Sequence, residues 1–188
     1  MDKKHTPKAY ADGVAVYCAH DQIVDVAELV PNPKNPNTHP DSQVQLLGRI
    51  IRSAGWRQPI TVSTRSGFIV KGHGRLAAAL LEGMKAVPVD YQAYATEADE
   101  YADLVADNRL AELAEIDKRM LAEIFEEIDA ADIAMEQTGF TEDEARRIME
   151  AFLDGLGEDP EEAEKPEKPD TASGGTHICP NCGHVFDA

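Results

Sequence analysis

Ile69-Val-Lys-Gly-His-Gly-Arg-Leu-Ala-Ala78 is the stretch on which the fold turns. Phe68-Ile-Val70 reads as a strand. Lys71-Gly-His-Gly-Arg75 follows at once and opens an alanine- and leucine-rich helix over about 75–82 that ends at Gly83. A strand running through paired glycines into a helix is a recipe for an anion site. The glycines allow a sharp turn and close approach of backbone to ligand, and the helix start offers unpaired N–H groups with a partial positive charge. Arg75 adds a planar fork for two phosphate oxygens, and His73 a hydrogen-bond donor or proton shuttle near neutral pH. The same spacing is equally met by a plain strand-to-helix turn whose Arg75 pairs with an acidic neighbour.

Working outward, Gln58-Pro-Ile-Thr-Val-Ser63 reads as the strand before Phe68-Ile-Val70, joined to it through Arg65-Ser-Gly67 as a hairpin. Ser42 with Gln45 forms a capping-box pattern, and Val44, Leu47, Ile51 and Ala54 recur on one helical face, so a helix is expected over 42–54 with Gly55 after it. Between 31 and 40 four prolines and three asparagines exclude helix and central strand. That loop is either a rigid surface element or the carrier of Lys34, Asn35 and His39 to a site. Val14–Tyr17, Gln22–Leu29 and Val87–Tyr91 read as further strands. The first dozen residues read as frayed.

After 95 the character changes. Thr96 with Asp99 starts one helix, Asp117 a second, and Thr141 with Glu144 a third through Leu156. Residues 1–90 hold 11 Lys/Arg against 8 Asp/Glu, and residues 91–188 hold 7 against 27. An acidic half of this size repels a polyanion across a Debye length of ~8 Å, which excludes sequence-blind coating of DNA but leaves room for a local phosphate site. Asp107-Asn-Arg109 lies within the acidic helices. Arg109 is read either as a solvated residue paired with Glu112 or Glu115, or as part of a pocket.

Five motifs in order carry a resemblance: Glu28-Leu-Val-Pro-Asn-Pro-Lys-Asn-Pro36, Gly55-Trp-Arg-Gln-Pro-Ile60, Ile69 to Ala78, Val87-Pro-Val89, and Ala106-Asp-Asn-Arg-Leu-Ala111. Over about 22–150 the chain resembles the ParB/sulfiredoxin superfamily, in particular the ParB-like N-terminal (so-called ParB-like nuclease) domain of the phage and DNA-methyltransferase-associated type. The resemblance implies an α+β fold, a small mixed sheet with helices; the chain continues into an acidic helical segment and a short zinc-knuckle tail. It implies that Lys71, Gly72, His73, Gly74 and Arg75 form a turn for a nucleotide or nucleic-acid phosphate. It further implies that Asp107, Asn108 and Arg109 face that turn and that Lys34, Asn35 and His39 rim it. If the site is catalytic, the implied reaction is hydrolysis of a nucleotide or phosphodiester. Arg75 would then steady phosphate charge, His73 serve as acid or base, and Asp107 hold a divalent ion such as Mg²⁺. The turn lacks the cysteine of sulfiredoxin-type members, and it keeps a single arginine where partition-type members carry several. The alternative is a non-catalytic adaptor that docks a DNA methyltransferase or other DNA-modifying enzyme; a homodimer is a further expectation.

The domain reading is a flexible N-terminus over 1–13, the core over 14–95, acidic helices over 96–156, a disordered linker over 157–176 rich in Glu, Pro and Lys, and a tail over 177–188. In that tail Cys179-x-x-Cys182-Gly183 has zinc-knuckle wording, with His177 and His184 as the nearest completing ligands and Cys18 with His20, or the tail of a second copy, as other sources. Three cysteines make no disulfide framework, no apolar run approaches the ~20 residues of a membrane span, and no signal-type segment follows Met1, so the cytoplasm is the expected compartment.

Overall fold

The computed structural model describes residues 6–153 and the strands 176–178 and 185–187. The chain divides into two compact units, Met1–Leu156 and Gly157–Ala188.

In the first unit, β1 (Ala9–Ala11) and β2 (Val14–Val16) form a hairpin, with Ala11 opposite Val14. Its turn is Asp12-Gly13, both at positive φ (49° and 80°), the geometry of a two-residue hairpin whose twist matches that of its strands. Residues 9–11 were expected to be frayed; they are ordered because this Asp-Gly turn folds them back and buries Ala11 completely. The Asp12 carboxylate also accepts the Lys85 N–H at 3.1 Å.

β3 (Gln22–Asp25), β4 (Ile60–Ser63), β5 (Ile69–Lys71) and β6 (Ala86–Gln92) make a four-stranded sheet in the order β3-β6-β4-β5. β6 runs parallel to β4 and antiparallel to β3, so the sheet is mixed. The expected strand over 22–29 stops at Asp25, whose side chain accepts the Ala27 N–H at 2.8 Å and turns Val26–Glu28 into a 3-10 helix. Helix α1 (Asp41–Ala54) starts one residue before the expected boundary, without a side-chain cap. The Pro40 carbonyl accepts the Val44 N–H at 3.1 Å, so Ser42 is already inside the helix and caps nothing.

Helix α2 (His73–Leu81) packs against α1 and the sheet through Leu76, Ala78 and Ala79. The small alanines let the helix lie close. Trp56, Ile60, Ile69, Val87 and Val89 are fully buried in the same core. Trp56 joins the β1–β2 hairpin to this core, its backbone N–H donating to the Ala15 carbonyl at 2.8 Å.

Helix α3 (Glu97–Glu112) begins with the expected Thr96/Asp99 capping box, and Asp117 caps α4 (Lys118–Ala130). α5 (Glu142–Leu153) starts after Thr141, whose hydroxyl accepts the Glu144 N–H. Phe125, Met135 and Ala145 form a second small core there, with the Phe125 and Phe140 rings edge to face at 5.1 Å. No helix among the described residues is long and apolar enough to cross a membrane.

In the second unit, β7 (Thr176–Ile178) and β8 (Val185–Asp187) pair antiparallel, with Ile178 opposite Val185. His177 falls within β7. Cys179, Cys182 and His184 lie outside the described residues, as does the linker expected over 157–176 except for Thr176, which falls in β7.

Candidate phosphate site

The turn between β5 and α2 is built as the glycines require. Gly72 sits at φ 94°, in the left-handed region, and serves as N-cap with no side chain capping the helix. A side chain at Gly72 would meet the Arg75 guanidinium at 2.9 Å, so the fork of Arg75 lies folded against the Gly72 backbone. Gly74 is equally constrained: a Cβ there would stand 3.1 Å from the His39 ring, so the bare glycine lets that imidazole rest on the first turn of α2. His39 in turn contacts Gln43 Oε1 at 3.0 Å.

His39, Gly72, Gly74 and Arg75 line one cavity of about 140 Å³, together with Asn35, Asn37, Leu47, Lys71, His73, Asp107 and Asn108. Four segments thus converge: the Asn-Pro loop, α1 through Leu47, the start of α2 and the middle of α3. Asx turns brace the loop from within. Asn32 Oδ1 accepts the Lys34 N–H at 2.9 Å, and Asn35 Oδ1 accepts the Asn37 N–H at 3.2 Å.

Arg75 is the main cation of the cavity. One terminal nitrogen donates to Gln58 Oε1 at 2.8 Å. Its Nε is shut off from solvent and has no hydrogen-bond partner among the described residues. Burial lowers the Arg75 pKa, and the nearby Asp107 carboxylate opposes that. Lys71 also borders the cavity, but its ammonium is held by Asp103 at 2.9 Å. Burial raises the Asp103 pKa. The Lys71 ammonium and the Tyr94 hydroxyl, which donates at 2.7 Å, outweigh that and hold it below the usual value.

His73 is wedged against the loop, where the Asn32 N–H donates to its Nε2 at 3.2 Å. An accepting Nε2 places the ring proton on Nδ1 and makes the neutral form the one that fits. Burial lowers the His73 pKa below its ordinary 6.5, and the neighbouring His39 adds to that. Above that value both folded and unfolded states are neutral and stability is complete. As pH falls below it, the unfolded chain takes up the proton first and stability declines until the folded value is passed. In long-range ¹H–¹⁵N spectra His73 is therefore expected to titrate below 6.5, with Nε2 unprotonated at neutral pH. A midpoint at or above 6.5 would show that the Asn32 contact is not made in solution.

Of the other residues expected at the site, two stand elsewhere. Arg109 pairs with Glu112 at 3.0 Å on the exposed side of α3 and does not line the cavity. Lys34 lies over the Tyr101 ring at 4.7 Å, near Glu97. Asn108 does line the cavity, though its amide also donates to the Leu104 carbonyl at 3.0 Å. Sequence reasoning missed Gln58, Asn32 and Asp103, which hold Arg75, His73 and Lys71 through contacts far apart along the chain. The fold also brings Cys18 within electrostatic reach of Arg75. Burial raises the Cys18 pKa, so the thiol form is favoured. Among the described residues no group of three or more His, Cys, Asp or Glu side chains is placed to hold a metal ion. Asp107 is the one carboxylate on the cavity lining among the described residues.

The comparisons with known proteins agree with this architecture. A family profile described as ParB N-terminal domain matches residues 13–108. The ParB-like nuclease domain-containing protein YnaK of Escherichia coli (strain K12) is 40% identical over 62 residues, covering 33% of this chain and 70% of that protein. Among solved structures, the C-terminally truncated chromosome-partitioning protein ParB from Caulobacter crescentus, in complex with CTP-γ-S, superposes with a TM-score of 0.59. That likeness comes at 20% identity and covers 70% of this chain and 78% of that one. The matched span takes in the mixed sheet, the glycine turn and α3 as far as Asn108, and by that match the chain belongs to the ParB N-terminal domain family.

Proposed function

We propose that the chain binds the phosphate of a nucleotide or of nucleic acid at the start of α2 and acts through it in DNA metabolism. The observation that carries this reading is the Arg75 Nε, a buried N–H without a partner among the described residues, beside a helix start that no side chain caps; together they offer donors to an anion. The family supports the class of ligand, since the ParB of C. crescentus holds CTP-γ-S.

The cavity also sets limits. At about 140 Å³ it is well below the ~300–1,000 Å³ of a pocket that engulfs a drug-sized ligand. It takes a phosphate group while base and sugar lie across its mouth. Lys71 is matched by Asp103 and Asp107 faces Arg75, so the fixed charges nearly cancel. A bare triphosphate would meet too little positive charge; a phosphate monoester, a diester or a metal-complexed nucleotide suits the site better.

Thermal-shift titration of the full chain with inorganic phosphate, AMP, CTP, ATP, GTP and a 5′-phosphorylated oligonucleotide, each with and without Mg²⁺, tests this. A ligand present at about 100 times its Kd adds about 2.7 kcal/mol of stability, a clear rise in Tm. If none of these ligands moves the Tm, the phosphate reading is wrong. Release of inorganic phosphate in the same mixtures separates hydrolysis from binding.

A further inference from the structure

The cavity holds two histidines, and their contacts set them apart. His73 Nε2 already accepts the Asn32 N–H at 3.2 Å, which ties that ring to its neutral form. His39 is placed the other way round. Its Nδ1 lies 3.0 Å from Gln43 Oε1, and a carbonyl oxygen only accepts, so Nδ1 carries the hydrogen. Its Nε2 makes no hydrogen bond among the described residues. A proton added at Nε2 therefore breaks no contact and turns the ring into a donor at both nitrogens. The bare Gly74 seats this ring on the first turn of α2, on the lining of the cavity.

The fixed charges around His39 leave that proton something to do. On the lining, α2 supplies Arg75, β5 supplies Lys71 and α3 supplies Asp107, while Asp103 of α3 holds Lys71 at 2.9 Å. These two cations and two carboxylates balance. From α1 only the uncharged Gln43 and Leu47 come to this corner; Asp41, in the first turn of that helix, is not on the lining. An entering oxyanion thus meets a cavity of no net charge, and imidazole is the side chain there that can gain charge between about pH 5 and 8. His39 and His73 act on each other electrostatically, so charging one opposes charging the other and the gain stops at one proton. Resting on the phosphate reading above, we propose that the cavity takes up one proton at His39 Nε2 when it binds phosphate. Coupling of this kind is reciprocal: the bound anion raises the affinity of His39 for a proton, and the protonated ring raises the affinity for the anion. Binding is then tightest in mild acid and weakens as pH rises through the midpoint of the bound form, so pH regulates the release of phosphate.

The probe is sulfate, which, unlike a phosphate monoester, does not itself titrate in this range. Isothermal titration of the full chain at constant ionic strength is expected to show affinity rising about tenfold from about pH 8.5 to about pH 5.5, the effect of one pKa unit gained by the ring on binding. In long-range ¹H–¹⁵N spectra the His39 midpoint should stand about one unit higher in saturating sulfate than in chloride, with His73 little moved. His39→Gln, which keeps a polar side chain but cannot titrate, should flatten the pH dependence to less than about twofold, and His73→Gln should keep it. Sulfate binding that is independent of pH, or whose pH dependence survives in His39→Gln, would overturn the proposal and leave the phosphate reading standing. So would loss of the dependence in His73→Gln alone, because the proton would then sit on the other ring. Failure of both sulfate and inorganic phosphate to bind at either pH would instead sink the phosphate reading, and this proposal with it.

Discussion

Arg75→Ala is expected to lower affinity for phosphate-bearing ligands by roughly 100-fold, which corresponds to about 3 kcal/mol and to two charge-assisted hydrogen bonds at ~1.5 kcal/mol each. The same change should cost little stability. In the free protein the guanidinium makes one hydrogen bond, to Gln58, and leaves its Nε buried without a partner among the described residues. Removing a partly desolvated cation whose bonds are incomplete relieves about as much as it loses. The combination of a large affinity loss and a small change in Tm separates a binding role from a structural one. Arg75→Lys should not rescue binding, because an ammonium cannot reproduce the planar fork. Isothermal titration and thermal melts on the same preparations decide it. An unchanged Kd in Arg75→Ala would remove the basis of the proposed function.

The second large effect falls on a residue outside the cavity. Glu100, on α3, is 1% exposed and accepts hydrogen bonds from the hydroxyls of Ser63 at 2.8 Å and Ser66 at 2.7 Å. Arg65 approaches the same carboxylate at 3.3 Å. Ser63 and Ser66 in turn accept the N–H groups of Arg65 and Phe68, so the carboxylate fastens α3 to the β4–β5 turn. Glu100→Ala leaves two hydroxyls and a guanidinium without their acceptor. Breaking a buried pair in this way costs about 3–5 kcal/mol, and the lower end applies here because Arg65 can reach water. For a domain of this size that is a fall in Tm of roughly 6–12 °C. Glu100→Gln, which keeps the shape and one acceptor, should lose less. Because α3 also carries Asp103, Asp107 and Asn108, any Glu100→Ala protein that folds should bind phosphate more weakly than native. A drop in Tm below ~2 °C would show that α3 is held in place by its apolar contacts alone.

The local elements were largely legible in the sequence because their causes are local. The Thr96/Asp99 capping box, the Asp117 cap, the Arg65-Ser-Gly67 turn and the glycine pair at 72 and 74 all act within a few residues, and the structure contains each of them. The exceptions are equally physical. Ser42 failed as a cap because Pro40 had already started the helix, and Ala9–Ala11 gained order from an Asp-Gly turn in a segment too short to show a periodic pattern.

Composition and motif order by themselves determined the α+β class, the ParB-type succession of elements and the position of the glycine turn before α2. Tertiary structure alone decided which charges meet there. Asn32 against His73, Gln58 against Arg75 and His39 over Gly74 are pairs separated by 41, 17 and 35 positions, and Arg109 was left pointing to solvent beside Glu112. Periodicity tells which face of a helix is apolar. Which polar side chain ends beside which depends on how sheet and helices pack, and with it whether an arginine pairs at the surface, as Arg109 does, or lies buried beside a cavity, as Arg75 does.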